Sequence, residues 1–362
     1  MGIKKDQINC HGNMCSKGET IKDCRYPMVK MSLTGTEPPR SGEGLRIAVY
    51  QGEGLAGDQK AIDYNLKCLK EWAEKAASYQ AQILVLPELF LCGYNILPDD
   101  IDKVVRTASQ VQDLVGSIAM KNEIAIVCPY AELDPDTGEH FDTILMLDKG
   151  GEILRNYRKC HLWGVEEKAN WKYPYVDDPK KAYRPFKVNG INVGLINCYE
   201  AEFPEVYRVY ALKGTQVVIA PTAADVGTVD KDGVFASSWI YPDISKTAIP
   251  VNAYSNKMFT VYSNHAMRQF RSDGSLSGVY LGNSAIADPY GELLAHANNM
   301  PTLLIADCVP GNYLPTHPYG ESDYIKDRRP ELYSALTKMK ATLPDGSTYH
   351  YPKNPNKHSN DD

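Results

Sequence analysis

Five short apolar runs, spaced along the chain and separated by polar or helical stretches, set the limits on what this sequence can fold into. They lie at 46–50 (RIAVY), 83–86 (ILVL), 124–129 (IAIVCP), 193–197 (VGLIN) and 216–220 (QVVIA). Each has the length of a buried strand and falls well short of the ~20 apolar residues that a membrane-crossing helix needs. Between the first two, Ile62, Leu66, Leu69, Ala73 and Ala76 recur at helical spacing, so 58–77 reads as an amphipathic helix. A second helix is expected over 101–121 and a third over 204–213. Residues 143–147 and 152–157, joined by Lys149-Gly150-Gly151, read as a hairpin. Further strands are expected at 248–251, 258–264 and 284–288. Strand–helix alternation with hairpins means an α/β fold with mixed sheets.

The 362 residues carry 39 Lys and Arg against 45 Asp and Glu, a net charge of −6. No basic stripe is present to attract phosphates, which argues against a nucleic-acid partner. The length gives room for a sizeable core. Residues 1–44 form a polar extension without the apolar centre of a signal peptide. Residues 45–338 form the folded domain, and 339–362 a polar tail expected to fray. Nine cysteines cannot all pair, and their spacing shows no disulfide framework, so free thiols in the cytoplasm are expected. Cys10, His11, Cys15 and Cys24 match no standard zinc-finger spacing.

Gly52-Glu53-Gly54-Leu55-Ala56-Gly57 is a literal GxGxxG between a strand and a helix. The next acidic strand end, Glu88, lies 31 positions beyond Gly57, against the ~20 of a dinucleotide fingerprint. The helical pattern also starts after the last glycine. The segment therefore reads as a loop.

The ends of the apolar runs carry more information. One gives Leu86-Pro87-Glu88, another Asn197-Cys198, a third Pro221-Thr222, and the returning hairpin strand gives Tyr157-Arg158-Lys159. Ligands collect beyond the carboxyl ends of strands in α/β sheets. A carboxylate, an amine and a thiol can therefore converge. A thiol is a strong nucleophile once deprotonated. A carboxylate can take its proton and return it to a leaving amine. An ammonium, with the backbone N–H of Tyr199, can hold an oxyanion. No GxSxG elbow is present to support a Ser-His-Asp hydrolase.

The sequence resembles the nitrilase superfamily, the carbon–nitrogen hydrolases. The resemblance rests on Leu86-Pro87-Glu88-Leu89-Phe90 with Gly93-Tyr94, on Tyr157-Arg158-Lys159-Cys160-His161-Leu162, and on Asn197-Cys198-Tyr199-Glu200-Ala201-Glu202-Phe203-Pro204-Glu205. Pro221-Thr222-Ala223 and Ala287-Asp288-Pro289-Tyr290-Gly291 also fit. The family implies a four-layer α-β-β-α sandwich with two mixed sheets. It implies a catalytic triad of Glu88, Lys159 and Cys198, with no metal or organic cofactor and a small-molecule substrate. It implies a second glutamate shortly after the lysine, where Glu166 and Glu167 both stand. Glu167 is favoured, because Glu167-Lys168 with Trp171 fits the family pattern better. The family also implies a homodimer or larger homo-oligomer.

Within the superfamily, Tyr50-Gln51-Gly52, Gly93-Tyr94-Asn95-Ile96 and His161-Leu162-Trp163-Gly164 look most like aliphatic amidases of the 5-aminovaleramidase type. On that resemblance Tyr94, Trp163, Glu166, Tyr199 and Thr222 contact substrate. The acidic Glu166, Glu167, Glu200 and Glu202 would suit a cationic amine or pair internally. A nitrilase, a carbamoyl-amine hydrolase and a non-catalytic scaffold are the alternatives. Three departures stand out: Asp142 where Asn is usual, Tyr173-Pro174-Tyr175 in place of proline-glycine, and 252–256 without the usual Arg and Glu.

Overall fold

The computed structural model describes residues 28–32, 34–229, 233–237, 242–314 and 317–357. The strand periodicity shows in Leu45–Gln51. Leu45, Ile47 and Val49 point to one face of their sheet, and Ala48 and Tyr50 to the other. Both faces are apolar, so the sheet must be covered on both sides. One face meets a second sheet. There Ile47, Val85, Val127 and Ile144 pack against Val193, Ile219, Val261 and Ile286. The other face is covered by helices Gln59–Ser78 and Ala108–Asn122, through Ile62, Leu69, Val111 and Val115. The outer face of the second sheet, with Ile196, Val218 and Ala220, is covered by Pro204–Leu212 and Ala248–Asn256. The order is helix, sheet, sheet, helix: the four-layer α/β sandwich that the sequence predicts.

The first sheet has seven strands and the second has six, and both are mixed. In the first, Leu45–Gln51, Ile83–Val85 and Ala125–Leu133 run parallel. Ala125–Leu133, His140–Leu147 and Ile153–Arg158 continue it as an antiparallel meander. In the second, Ile191–Leu195, Val217–Thr222 and Phe259–Asn264 run parallel. Met28–Ser32, inside the segment read as an extension, adds a parallel edge strand beside Thr302–Cys308.

Four readings change. The helix expected over 101–121 is two, Ile101–Val104 and Ala108–Asn122. Thr107 and Gln110 form a reciprocal capping box that starts the second one afresh. The apolar stretch at 248–251 is not a strand but the start of helix Ala248–Asn256, where Ile249, Asn252, Ala253 and Asn256 are buried at helical spacing. A third sheet, unforeseen, pairs Asp225–Val229, Leu276–Leu281, Ala266–Arg271 and Leu55–Ala56. In the tail, Lys340–Thr342 and Thr348–His350 form a small hairpin, and Asn356 exchanges two hydrogen bonds with the Tyr173 backbone at 2.8 Å.

Residues 52–54 form the loop read from the spacing, but Leu55 and Ala56 form a short strand that pairs with Phe270 and Arg271 in the third sheet. At the following helix, the Asp58 carboxylate accepts from Ala61 N, so the helix N-terminus already holds an anion. Cys92, Cys128, Cys160, Cys198 and Cys308 are free thiols. Cys68 is disulfide-bonded, which corrects the expectation of free thiols throughout and removes the thiol argument for a reducing compartment. Cys10, His11, Cys15 and Cys24 lie outside the described residues. No helix among the described residues is long and apolar enough to cross a membrane.

Candidate active site

Glu88 follows strand Ile83–Val85, and Leu89 after it turns back with φ +49°. Lys159 follows Ile153–Arg158. Strand alternation sends its neighbour Arg158 the other way, to Glu132 and Asp134 at 2.8 and 2.7 Å. Lys159 points inward and is 1% exposed. Its backbone N–H donates to the Asp142 carbonyl at 2.9 Å.

Cys198 opens the 3₁₀ turn Cys198–Glu202 at the end of the facing sheet's strand Ile191–Leu195. Its φ of +50° lies in the left-handed region that non-glycine residues rarely adopt. Such strain, of order 1–3 kcal/mol, persists where the surroundings impose it. Here the fully buried Glu200 does so. It accepts from Asn197 N at 2.7 Å, from Cys160 N at 2.8 Å and from the Tyr157 hydroxyl at 2.6 Å. One carboxylate thus fastens the nucleophile's turn to the loop after Lys159, so Glu200 is paired internally.

At the centre, the Lys159 ammonium donates to Glu88 Oε1 at 2.6 Å and to Glu167 Oε1 at 2.8 Å, with Asp142 Oδ2 at 3.5 Å. Glu167 is buried. It also accepts from the Tyr94 hydroxyl and the Trp163 backbone N–H, both at 2.7 Å. Oxygens of Glu88, Asp142 and Glu167 lie within 4.8 Å of one another, a spacing that a cation could bridge. The ammonium of Lys159 supplies the positive charge there.

Burial works against the Lys159 ammonium, but Glu167 and Glu88 outweigh it and hold its pKa above the usual lysine range. Burial also pushes the Glu88 carboxyl well up, with Lys159 pulling the other way. Burial and the Glu88 charge raise the Cys198 thiol, which is therefore protonated at rest and needs a base. The Thr222 hydroxyl donates to Cys198 Sγ at 3.1 Å.

The remaining sequence candidates divide. Tyr94 is tied to Glu167 by its hydroxyl. Trp163, 41% exposed, lies edge-on to Tyr199 with ring centroids 5.0 Å apart. Glu166 is exposed. Its neighbour Glu167 takes the place against Lys159, because the short helix Gly164–Asn170 turns one of the two inward and the other out.

Sequence reasoning passed over Asp142, which was noted only as a departure, and His265. His265 is buried, and its Nε2–H donates to the Glu88 carbonyl oxygen at 2.6 Å. Burial lowers its pKa to about 4, so it is neutral. It stacks at a tilt on Tyr280, whose hydroxyl donates to Gln269. All three belong to the third sheet or its edge. No motif marks them.

The model of the carbon-nitrogen hydrolase family matches residues 46–316. The chain is similar to a protein of Pseudomonas protegens described as a hydrolase in the pqqF 5′ region, at 30% identity over 81% of this chain and 92% of that one. It is similar to N-carbamoylputrescine amidase of Solanum lycopersicum at 24% identity, over 78% of this chain and 93% of that one. Among solved structures, an amidase from Nesterenkonia sp. AN1 aligns with a TM-score of 0.63 at 28% identity, covering 83% of this chain and 99% of that one. That structure shows the acetamide moiety of fluoroacetamide covalently added at its active-site cysteine. With the sandwich fold, the buried Glu–Lys–Cys arrangement and a family match across most of its length, this chain belongs to the carbon–nitrogen hydrolase family and is an amidase-type hydrolase.

Proposed function

We propose that the chain hydrolyses a small aliphatic amide to a carboxylate and ammonia through a thioester on Cys198. The observation that carries this reading is the Lys159 ammonium, held between Glu88 at 2.6 Å and Glu167 at 2.8 Å. Glu88 takes the Sγ proton as Sγ attacks the amide carbonyl. Two of the three ammonium donors are engaged by the glutamates, and the third faces the oxyanion together with the Tyr199 N–H. The C–N bond breaks as Glu88 passes its proton to the leaving nitrogen, giving ammonia and an acyl-thioester. Water then gives a proton to Glu88 and its oxygen to the acyl carbon. The C–S bond breaks, the acid leaves and the proton returns to sulfur. Each step balances without a cofactor.

Trp163 and Tyr199 form the aromatic side of the acyl pocket in this reading, and Tyr94 acts through Glu167. The sequence features around Tyr50, Tyr94 and Trp163 support a substrate among aliphatic amides of the 5-aminovaleramide kind.

The test is ammonia release from 5-aminovaleramide, simple aliphatic amides, carbamoyl amines and nitriles, with Cys198→Ala as control. Turnover of amides that depends on Cys198 supports the reading. Turnover of carbamoyl amines or nitriles alone replaces its substrate class. Amide turnover that survives in Cys198→Ala overturns the mechanism.

A further inference from the structure

Three carboxylates face one ammonium in this site, so the cluster holds one more acid than Lys159 and a conventional positioning glutamate can balance. The excess lies between Glu88 and Asp142. Glu88 gives Oε1 to Lys159, and Asp142 gives Oδ1 to the Asn197 side-chain amide at 2.9 Å. The second oxygen of each, Glu88 Oε2 and Asp142 Oδ2, is buried with no hydrogen bond among the described residues, although the Lys159 ammonium stands 3.5 Å from Asp142 Oδ2. If both were ionised, two buried acceptors would lack a hydrogen bond and two like charges would stand within 4.8 Å of each other, each costly. One proton between them removes both penalties.

We propose that Asp142 is a positioning residue that shares one proton with Glu88 in the resting enzyme and thereby keeps Glu88 ionised and aligned toward the Cys198 thiol. This rests on the reading of Glu88 as the base. The shared proton sits on Asp142 and is donated to Glu88 Oε2. When Glu88 accepts the thiol proton, both carboxyls become neutral, and the remaining charges are Lys159 and Glu167. When Glu88 passes its proton to the leaving amine, the pair returns to its one-proton state. The Asp142 proton is conserved throughout the cycle.

The surroundings agree. The groups facing Asp142 are Lys159 at the end of its neighbouring strand, Glu88 from the strand end beyond, Glu167 from the helix Gly164–Asn170, the neutral amide of Asn197 from the other sheet, and the Cys92 thiol from the loop after Glu88. Only Lys159 among them is positive. Burial raises both carboxyls, Asp142 to about 6, against the pull of Lys159. The ammonium lies closer to Glu88, at 2.6 Å, than to Asp142, at 3.5 Å, which favours the anion on Glu88 and the proton on Asp142. Such a pair loses its protons in two steps that belong to both groups. The asparagine usual at this position would imitate the protonated form permanently.

The experiment compares the wild type with Asp142→Asn and Asp142→Ala. Asparagine can donate to Glu88 and accept from Asn197, so D142N keeps kcat/KM within about threefold near neutrality. Loss of the shared proton sets the wild type's alkaline limb. An asparagine donor cannot ionise, so the limb moves up by about one pH unit or more in D142N. D142A loses the donor and lowers kcat about tenfold or more at unchanged KM. Infrared spectroscopy of the resting enzyme shows a protonated-carboxyl C=O band in the wild type that is absent in D142N.

A folded D142N whose pH profile superimposes on the wild type, whose activity is as low as that of D142A, or which keeps the band overturns the proposal. If D142N fails to fold, the wild type decides it alone. A carboxylic-acid band that fades with the alkaline limb supports the shared proton, and the absence of such a band overturns it. The infrared reading is independent of turnover, so it stands apart from any failure of the Cys198 mechanism, which Cys198→Ala exposes.

Discussion

The Glu88 backbone N–H donates to the Thr222 carbonyl oxygen at 3.2 Å, which fastens a strand end of one sheet to a strand end of the other. Thr222 also reaches the nucleophile: its hydroxyl donates to Cys198 Sγ at 3.1 Å. One residue therefore sets the distance between base and nucleophile through its backbone and orients the sulfur through its side chain. Thr222→Val keeps the first role and removes the second. It is expected to lower kcat/KM about five- to tenfold, the worth of one hydrogen bond, and to leave Tm close to that of the wild type. Steady-state kinetics with a thermal melt checks both.

Among the described residues, Lys159 is the one positive charge paired with Glu88, Glu167 and Asp142. Removing one partner of a buried ion cluster costs more than the cluster itself contributes, about 3–5 kcal/mol. Lys159→Met is therefore expected to abolish turnover and to destabilise by about that amount. The folded-state pKa values of Glu88 and Asp142 are raised, so lowering the pH neutralises the stranded carboxyls. The deficit of the variant shrinks as pH falls below about 6. Denaturant titrations of wild type and variant at several pH values measure it. A deficit that stays constant with pH contradicts the account.

His265 titrates the other way. Its folded-state pKa, about 4, lies below the ordinary histidine value. The unfolded chain therefore binds the extra proton first, and stability is lost as pH falls from about 6.5 to about 4. The full loss is roughly 3 kcal/mol. His265→Gln retains a donor for the Glu88 carbonyl and has no such proton. The difference in unfolding free energy between wild type and variant is expected to change across that window and to stay level above pH 7.

Glu166 and Glu167 are neighbours with opposite surroundings, one exposed and one bonded to Lys159, Tyr94 and Trp163. Glu167→Gln is expected to lower kcat about a hundredfold, and Glu166→Gln to leave kcat/KM within about twofold. Equal effects of the two changes, measured side by side on one amide, would remove the assigned role of Glu167.

The sequence yields Glu88, Lys159, Cys198 and Thr222 for a simple reason. Glu88, Cys198 and Thr222 each follow a plainly apolar run, Lys159 ends the returning strand of a hairpin, and strand ends of α/β sheets face the site. It yields the two large sheets for the same reason. It does not yield the third sheet. His265, Gln269 and Tyr280 owe their positions to the register between Ala266–Arg271 and Leu276–Leu281, and strand pairing is a long-range property. The Glu166–Glu167 question is a matter of helix phase at Gly164–Asn170, which adjacent residues of the same type cannot reveal. Residues 248–251 are misread because four apolar residues fit a strand or one helical turn equally well. Asp142 is visible in the sequence as a departure. Its meaning depends on what lies opposite, and that is set by the meander that brings His140–Leu147 beside Ile153–Arg158.

The central claim is that Cys198 becomes acylated by the substrate. Intact-protein and peptide mass spectrometry of enzyme quenched during amide turnover tests it most directly. The account predicts a mass increase equal to the acyl group, located on the peptide containing Cys198, and absent in Cys198→Ala and in Glu88→Gln. Steady turnover with Cys198 unmodified, or an adduct on another residue, would contradict it.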